Sequence, residues 1–299
     1  MAYKYFRTVQ KSMWKPQTEV TFNSKKMRKL RSVFSSEQLL DNLSNSNFSH
    51  VHRADKTNCG DWWSLPANYF TFPCHDNVFD ISDLGPEVEI SGNVIVGGGG
   101  LIGPGFYQLE KILRNSRASV IGWGIGNNMI DDKLSDFVST FPDFPSYISM
   151  FKLLGVRDDV EGLRWVPCVS CMHPAFSKKY NVNHDVVVFE HKRISINIGA
   201  FPTMTNEGSD IDSIISFLAS GDTVITNSYH GAYWATLLGK KCVAIPFSSK
   251  FNRMRHSPVL SKINDWKESM RISRIYPDAL SECRKANVDF YKSVVDVVF

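Results

Sequence analysis

Short apolar runs that alternate with amphipathic segments dominate the chain from about Gly92 onward. In the first half, residues 93–96 and 118–123 have the continuous apolar character of buried strands, and residues 106–114 between them have helical periodicity. Strands that alternate with helices are typical of βαβ units, whose strands pair in parallel. This half therefore predicts a parallel sheet flanked by helices.

The second half repeats the same pattern. Predicted helices at residues 211–219 and 231–238 alternate with predicted strands at residues 185–190, 222–226 and 241–245. The last segment, residues 277–299, begins with proline and carries an apolar stripe at helical spacing. It predicts a terminal helix that packs back on the first domain. The whole pattern predicts an α/β protein with two Rossmann-like halves.

The length of 299 residues agrees with two domains at about 150 residues each. The pattern divides the chain into four segments. They are a basic N-terminal extension at residues 1–50, a first Rossmann-like domain at 51–170, a second at 171–275, and the C-terminal helix at 276–299.

The composition is that of an ordinary globular protein, with 43% hydrophobic and 21% charged residues. The 34 basic and 30 acidic residues leave a net charge of +4, which is too small to indicate a nucleic-acid partner. The basic cluster at residues 25–31 has no aromatic residues interleaved, so a solvated face explains it best. Peripheral contact with a membrane surface or an acidic polymer stays open as an alternative.

No apolar stretch approaches the ~20 residues of a membrane helix, and the N terminus lacks the apolar core of a signal peptide. We therefore expect a cytoplasmic protein without a transmembrane segment. The 6 cysteines are too sparse for a disulfide scaffold. Cys168 and Cys171 form a C-x-x-C pair, but no second pair at ligand spacing accompanies it, so we expect no metal.

Four consecutive glycines, residues 97–100, follow the first predicted strand and precede the first predicted helix. We expect a turn whose backbone amides approach a phosphate or a hydroxyl at the helix N terminus. The spacing matches neither the dinucleotide fingerprint nor the P-loop. A tight turn without a ligand explains the glycines equally well.

The polar residues Asn227, Ser228, Tyr229 and His230 lie where a predicted strand ends and a helix begins. Open α/β sheets bind ligands at this edge. An imidazole close to solvent there, with a pKa of about 6.5, suits proton transfer or phosphate binding. The alternative is that His230 only caps the helix and packs.

Four short elements, in order along residues 55–255, resemble those of the polysaccharide pyruvyl transferase family. They are Asn58-Cys-Gly-Asp61, the strand and glycines from Val94 to Leu101, Val156-Arg157-Asp158, and Asn227-Ser-Tyr-His-Gly231 followed by Pro246 and Lys250. The resemblance implies a GT-B-type fold, with an acceptor domain at residues 51–170 facing a donor domain at 171–275 across a cleft.

The same resemblance implies the transfer of a pyruvyl group from phosphoenolpyruvate onto two hydroxyls of a saccharide, which closes a cyclic ketal. The donor substrate then takes the place of a cofactor, and the saccharide acceptor stays open, with lipid-linked and nucleotide-linked sugars as the candidates. Arg157 would hold the carboxylate or phosphate, and His230 would bond the phosphate or protonate it as it leaves. Asp61 would take the proton of the attacking hydroxyl, unless it only closes a turn.

The remaining substrate-binding candidates lie at the same predicted strand ends or in the same elements. They are Asn58, Gly98, Gly99, Gly100, His191, Lys192, Asn227, Ser228, Tyr229 and Lys250. Two other functions stay open, because fold does not determine chemistry. One is a GT-B-type glycosyltransferase with a nucleotide-sugar donor, and the other is a glycan-binding module without catalysis.

Overall fold

A computed structural model describes residues 48–72, 77–84, 92–103, 107–115, 119–129 and 143–298. The predicted basic cluster at residues 25–31, and with it most of the predicted extension, lies outside these residues. The first strand begins at Phe48, three residues before the predicted start of the first domain.

The first sheet has five parallel strands in the order β2-β1-β3-β4-β5. The short helix α1 follows β1, and α2 connects β3 to β4. The elements are β1 (Phe48–His52), α1 (Cys59–Trp62), β2 (Asn77–Asp80), β3 (Asn93–Ile102), α2 (Tyr107–Asn115), β4 (Val120–Asn127) and β5 (Leu153–Val156).

The second sheet also has five parallel strands, in the order β10-β9-β8-β6-β7. Parallel α/β sheets are therefore confirmed, although the short strands β1, β2, β5, β7 and β10 are not predicted from the sequence. The elements are β6 (His184–Glu190), β7 (Thr203–Thr205), α3 (Ile211–Ala219), β8 (Gly221–Thr226), α4 (Tyr229–Leu237), β9 (Lys241–Ala244), β10 (Val259–Leu260), α5 (Trp266–Arg271) and α6 (Ala279–Val298).

The two sheets have the same strand order when each is numbered along its own part of the chain. Both follow the doubly wound order 2-1-3-4-5. The order in which strands are added reverses between β1 and β3 in one sheet and between β6 and β8 in the other. A crevice opens at such a switch point, at the carboxyl ends of the strands. Each Rossmann-like sheet therefore offers one natural ligand crevice.

The long helix α6 lies against the first sheet. Its Tyr291 ring stacks on Phe70 at 4.7 Å between centroids, and Asn287 Oδ1 accepts a hydrogen bond of 2.8 Å from Trp123 Nε1. The apolar stripe of α6 is thus buried among aromatic side chains, which ties the end of the chain to its first half. Within the described residues, none of the helices has both the length and the apolarity needed to cross a bilayer.

The glycine run does not form the predicted turn at a helix N terminus. Residues 97–100 lie inside strand β3, and α2 begins only at Tyr107. A Cβ on Gly97 would lie 2.6 Å from the Trp123 carbonyl oxygen, and one on Gly98 would lie 2.8 Å from that of Ser64. Glycine is needed here because neighbouring backbone approaches a strand that is buried on both faces.

Candidate active site

The carboxyl edges of the two sheets meet through the segment at residues 55–63, which follows β1. Cys59 N donates to Asn206 O at 3.1 Å, and Trp63 Nε1 donates to Ser209 O at 2.7 Å. These bonds join the first half of the chain to the loop that follows β7. The two switch-point crevices are therefore brought to a common region.

The helix α1 lies directly over the imidazole of His230, in the first turn of α4. A Cβ on Gly60 would lie 1.9 Å from His230 Nδ1, so only glycine permits this approach. On the other side, His230 Nε2 lies 3.6 Å from Cys168 Sγ. The imidazole is 6% exposed and is enclosed by both halves of the chain.

This burial corrects the expectation that His230 lies close to solvent. Desolvation lowers its pKa well below 6.5, and the positive charges of Arg157 and Lys250 lower it further. The ring is therefore neutral at physiological pH, since both effects disfavour the imidazolium ion. A neutral imidazole donates one hydrogen bond and accepts one, and it is a weak acid.

Arg157 follows β5 and is buried between the two halves of the chain. Its guanidinium lies 4.0 Å from the centroid of the Tyr229 ring, and Nη2 donates to Asn127 O at 3.3 Å. Asp158 Oδ1 is 4.0 Å from Arg157 Nε, which makes no hydrogen bond with a described residue. The guanidinium therefore keeps donor capacity for a ligand.

Lys250 lies on the turn Ser249–Phe251, which follows β9. Ser249 holds this turn against the end of β4, because Ser249 N donates to Met129 O at 2.8 Å and Met129 N donates to Ser249 Oγ at 2.9 Å. The Lys250 ammonium makes no hydrogen bond or ion pair with any residue that the structure describes. Burial and the charge of Arg157 lower its pKa to about 8, against the opposing effect of Asp61.

Gly100, Arg157 and Lys250 together form a site that we call the cationic cradle. A Cβ on Gly100 would lie 3.0 Å from Arg157 Nη2 and 3.1 Å from Lys250 Cε. Asn128 closes one side, with its Cβ 2.7 Å from the same position. The Arg157 guanidinium and the Lys250 side chain, from different elements, thus pack against the same glycine, which leaves no room for a Cβ. Two positive side chains this close together favour a compact anion with several charges beside them.

Asp61 lies beside the cradle, in α1. Its Oδ2 accepts a hydrogen bond of 2.8 Å from Asn58 Nδ2. Burial raises its pKa above the ordinary value, while the charges of Lys250 and Arg53 oppose that shift. A carboxylate with a raised pKa is a stronger base than an exposed one, so Asp61 can accept a proton from a hydroxyl group.

Several other predicted site residues use their polar groups to bond other groups of the protein. Asn58 Oδ1 accepts from Asn206 Nδ2 at 3.1 Å, which joins the two halves of the chain. Ser228 Oγ caps α4 by accepting from Gly231 N at 3.4 Å. Lys192 Nζ donates to Asp55 Oδ2 at 3.2 Å. These three residues position the site through their contacts with protein groups.

Asn227 is fully buried and holds the loop that follows β6. Its Oδ1 accepts from His191 N at 2.7 Å, and its Nδ2 donates to Ile194 O at 2.9 Å. His191 is half-buried, and burial together with Lys250 lowers its pKa to about 4. Of the remaining glycines, Gly98 packs on Ser64, and Gly99 has a φ of +98° with open space where a Cβ would lie.

Asn128 and Asp158 belong to this region but are not selected from the sequence. Asn128 directly follows β4, so the strand-end rule that selects His230 also applies to it. Asp158 Oδ2 accepts a bond of 2.7 Å from Asn127 N, and burial raises its pKa to about 6. Only the fold shows that this carboxylate holds the end of β4 beside the cradle.

The described residues contain no group of three or more His, Cys, Asp or Glu side chains that could hold a metal ion. Cys168 and Cys171 are both buried, and Cys168 Sγ lies 3.3 Å from Ser170 Oγ. Burial raises the pKa of both thiols, so they remain protonated and unreactive.

Gly100→Ala should displace Arg157 and Lys250 and weaken the binding of a compact anion. The new methyl group would crowd Arg157 and Lys250, so we expect at least about a tenfold loss of affinity for phosphate-bearing ligands, as isothermal titration measures it. Gly122→Ala is the control, because its Cβ would meet the Leu154 side chain at 2.6 Å in the core of the first sheet. Comparable destabilisation by both variants with equal loss of binding would contradict the prediction.

No family model matches this chain, and no curated protein matches it. Among solved structures, the chain is similar to the crystal structure of a functionally uncharacterized protein from Klebsiella pneumoniae subsp. pneumoniae NTUH-K2044. The two chains are 16% identical, and the match covers 69% of this chain and 85% of that chain with a TM-score of 0.39. A likeness at this level says nothing about the chemistry of the site.

Proposed function

We propose that this protein transfers the pyruvyl group of phosphoenolpyruvate to a pair of hydroxyls on a saccharide, in a cleft of GT-B type between its two Rossmann-like halves. The observation that carries the proposal is the convergence of Arg157 and Lys250 on Gly100. Phosphoenolpyruvate carries a carboxylate and a phosphate on the same carbon atom, so two neighbouring cations match its charge.

The donor-binding step assigns different tasks to the two cations. The planar guanidinium of Arg157 is held by Tyr229 and Asn127, so it can present two parallel N–H groups to one carboxylate or phosphate. Lys250 is a point charge on a flexible stem, and it neutralises the second anionic group. Together they would orient the enol carbon toward the acceptor.

His230 acts in this proposal as a hydrogen-bond donor to the phosphate. Its lowered pKa favours this role over that of a general acid, because a neutral imidazole gives up its remaining proton with difficulty. The contact with Gly60 fixes the ring, so binding of the phosphate requires little reorganisation.

The acceptor side depends on Asp61. One sugar hydroxyl attacks the carbon that bears the phosphate, and its proton is balanced by the proton that the methylene carbon gains. The second hydroxyl attacks the same carbon as the phosphate leaves, and its proton goes to a base. Asp61 is the candidate for removing a hydroxyl proton, since Asn58 orients its carboxylate and burial raises its pKa.

The direct test uses purified full-length protein with radiolabelled phosphoenolpyruvate and a panel of lipid-linked and nucleotide-linked sugars. We expect phosphate release that depends on the acceptor and a labelled ketal product. Phosphate release without acceptor, or none with any acceptor, would count against the assignment. Saturable binding of nucleoside diphosphates would instead favour a glycosyltransferase, and glycan binding without a product would favour a binding module.

The pH dependence of donor use should report the charge of Lys250. Its pKa of about 8 implies that the ammonium loses its proton as pH rises from 7.5 to 9.5. We expect kcat/KM for phosphoenolpyruvate to fall across this range, by up to about tenfold per pH unit above the pKa, because one binding charge disappears. Lys250→Arg should remove the decline. A decline of equal steepness in that variant would assign it to another group.

A further inference from the structure

A second concave site lies beside the second sheet, outside the cationic cradle. A pocket of about 580 Å³ opens between residues 195–198, which follow β6, and residues 263–267, which lead into α5. Ile196 and Trp266 contribute apolar walls, and Asn197, Asn264 and Lys267 contribute polar groups. The volume and the mixture of one aromatic ring with a few polar groups are typical of small-ligand sites.

We propose that this pocket binds a sugar unit of the saccharide acceptor, distant from the hydroxyls that react. The identification of this saccharide as the acceptor rests on the proposed function. The binding of a saccharide by the pocket is argued only from the chemistry of its walls.

The loop that forms one wall is held in place from inside the protein. Glu190 Oε1 accepts bonds from Ser195 Oγ at 2.8 Å and from Ile196 N at 2.7 Å. Asn227 fixes the beginning of the same loop through His191 N and the Ile194 carbonyl oxygen. Buried side chains therefore preorganise the wall, which reduces the entropy lost when a ligand binds.

The polar groups on the outer face of this loop remain open to a ligand. Asn197 is exposed and has a φ of 45°, a left-handed conformation that costs energy in a residue other than glycine. Its Oδ1 lies 3.0 Å from Ser195 Oγ, whose one proton goes to Glu190, and its Nδ2 forms no hydrogen bond with the described residues. The exposed amide of Asn264 lies across the pocket.

The opposite wall presents an aromatic ring next to a cation. Trp266 is half-buried and packs edge-to-face on Phe201, with centroids 5.7 Å apart. Lys267 Nζ lies 5.5 Å from the centroid of the Trp266 ring. An indole ring packs against the C–H face of a sugar, amide groups bond its hydroxyls, and an ammonium attracts a carboxylate. These walls fit a saccharide, with a preference for one that carries an acidic group.

The same loop connects the pocket to the candidate active site. His191 at its start is close enough to Lys250 for that charge to lower the pKa of the imidazole. Ser195 is four positions after His191, and four positions span at most about 14 Å when the chain is fully extended. An oligosaccharide of a few units can therefore reach from Trp266 toward the cradle.

The test measures binding of oligosaccharides of two to six units to the full chain without phosphoenolpyruvate, by saturation-transfer NMR and tryptophan fluorescence. Neutral and uronate-bearing oligomers are compared. We expect binding by the unmodified protein, tighter for the acidic oligomers, and at least a tenfold loss in Trp266→Ala. The double variant Asn197→Gly with Asn264→Ala removes only exposed amides and should lose affinity without loss of folding. Lys178→Ala, at an exposed lysine of the same half, is the control.

A kinetic arm separates this inference from the proposed reaction. In the variants, KM for a long acceptor should rise at least tenfold, while kcat and KM for phosphoenolpyruvate stay unchanged. Variant-sensitive binding without any turnover would support the saccharide site and remove the reaction. Absence of saccharide binding, equal binding by all variants, or binding of a nucleoside monophosphate in place of the saccharides would overturn the inference.

Discussion

Arg157→Ala should reduce kcat/KM for phosphoenolpyruvate by about a hundredfold to a thousandfold, because it removes the only planar, two-pronged donor that the described residues direct at the cradle. Arg157→Lys should recover little of the loss, since a lysine ammonium cannot make two parallel bonds to one anion. Initial rates at varied donor concentration, together with titration of inorganic phosphate, measure the effect.

Arg164→Ala is the matched control for this substitution. Arg164 is an exposed arginine seven positions further along the chain, and its Nη1 donates to Ser293 Oγ at 2.8 Å, on the side of helix α6. We expect that variant to keep its activity. Circular dichroism and urea unfolding establish that Arg157→Lys is folded. A folded Arg157→Lys protein with unchanged donor use would remove Arg157 from the proposal.

Asp61→Asn should lower kcat by about a hundredfold to ten-thousandfold while leaving KM for phosphoenolpyruvate nearly unchanged. The substitution keeps the shape of the side chain, and the new amide oxygen can still accept the bond from Asn58. It removes only the ability to take a proton. Measurement of kcat and KM with both substrates separates this effect from loss of donor binding.

Asp55→Asn is the control for charge near Asp61. Asp55 also follows β1, but its carboxylate accepts from Lys192 Nζ at 3.2 Å and from Thr57 N at 2.9 Å, which commits it to protein contacts. That variant should affect stability more than kcat. A drop in kcat equal to that of Asp61→Asn would indicate a general effect of charge and would exclude Asp61 as the specific base.

The sequence predicts a helix well where apolar residues recur on one face, and it predicts a strand well where the run is apolar throughout. Helix α3 occupies residues 211–219 in both the prediction and the structure. Its apolar residues recur at helical spacing as far as Ala219, and Ser220 and the next strand end that pattern. Strand β8 is found within one residue of its prediction. Short strands such as β7 are missed, because three residues carry too little periodicity to be recognised.

The sequence also reveals the polar residues at the strand ends, but it does not reveal the role of each side chain. Asn227, Ser228 and His230 form one polar run, and all three lie at the carboxyl edge of β8. In the structure Asn227 holds a loop, Ser228 caps α4, and His230 faces α1. These differences arise from partners distant in sequence, which a local pattern cannot reveal.

Local patterning by itself determined the parallel α/β architecture, because strands buried on both faces must be apolar throughout and the crossover helices must be amphipathic. Tertiary structure alone decided the state of the site. The neutral His230 and the lowered pKa of Lys250 depend on burial and on the charge of Arg157, which lies more than seventy positions away in the sequence. The close packing at Gly100 likewise joins residues from both halves of the chain. Electrostatic energies depend on the distance between charges and on their burial, and neither quantity can be obtained from the order of the residues.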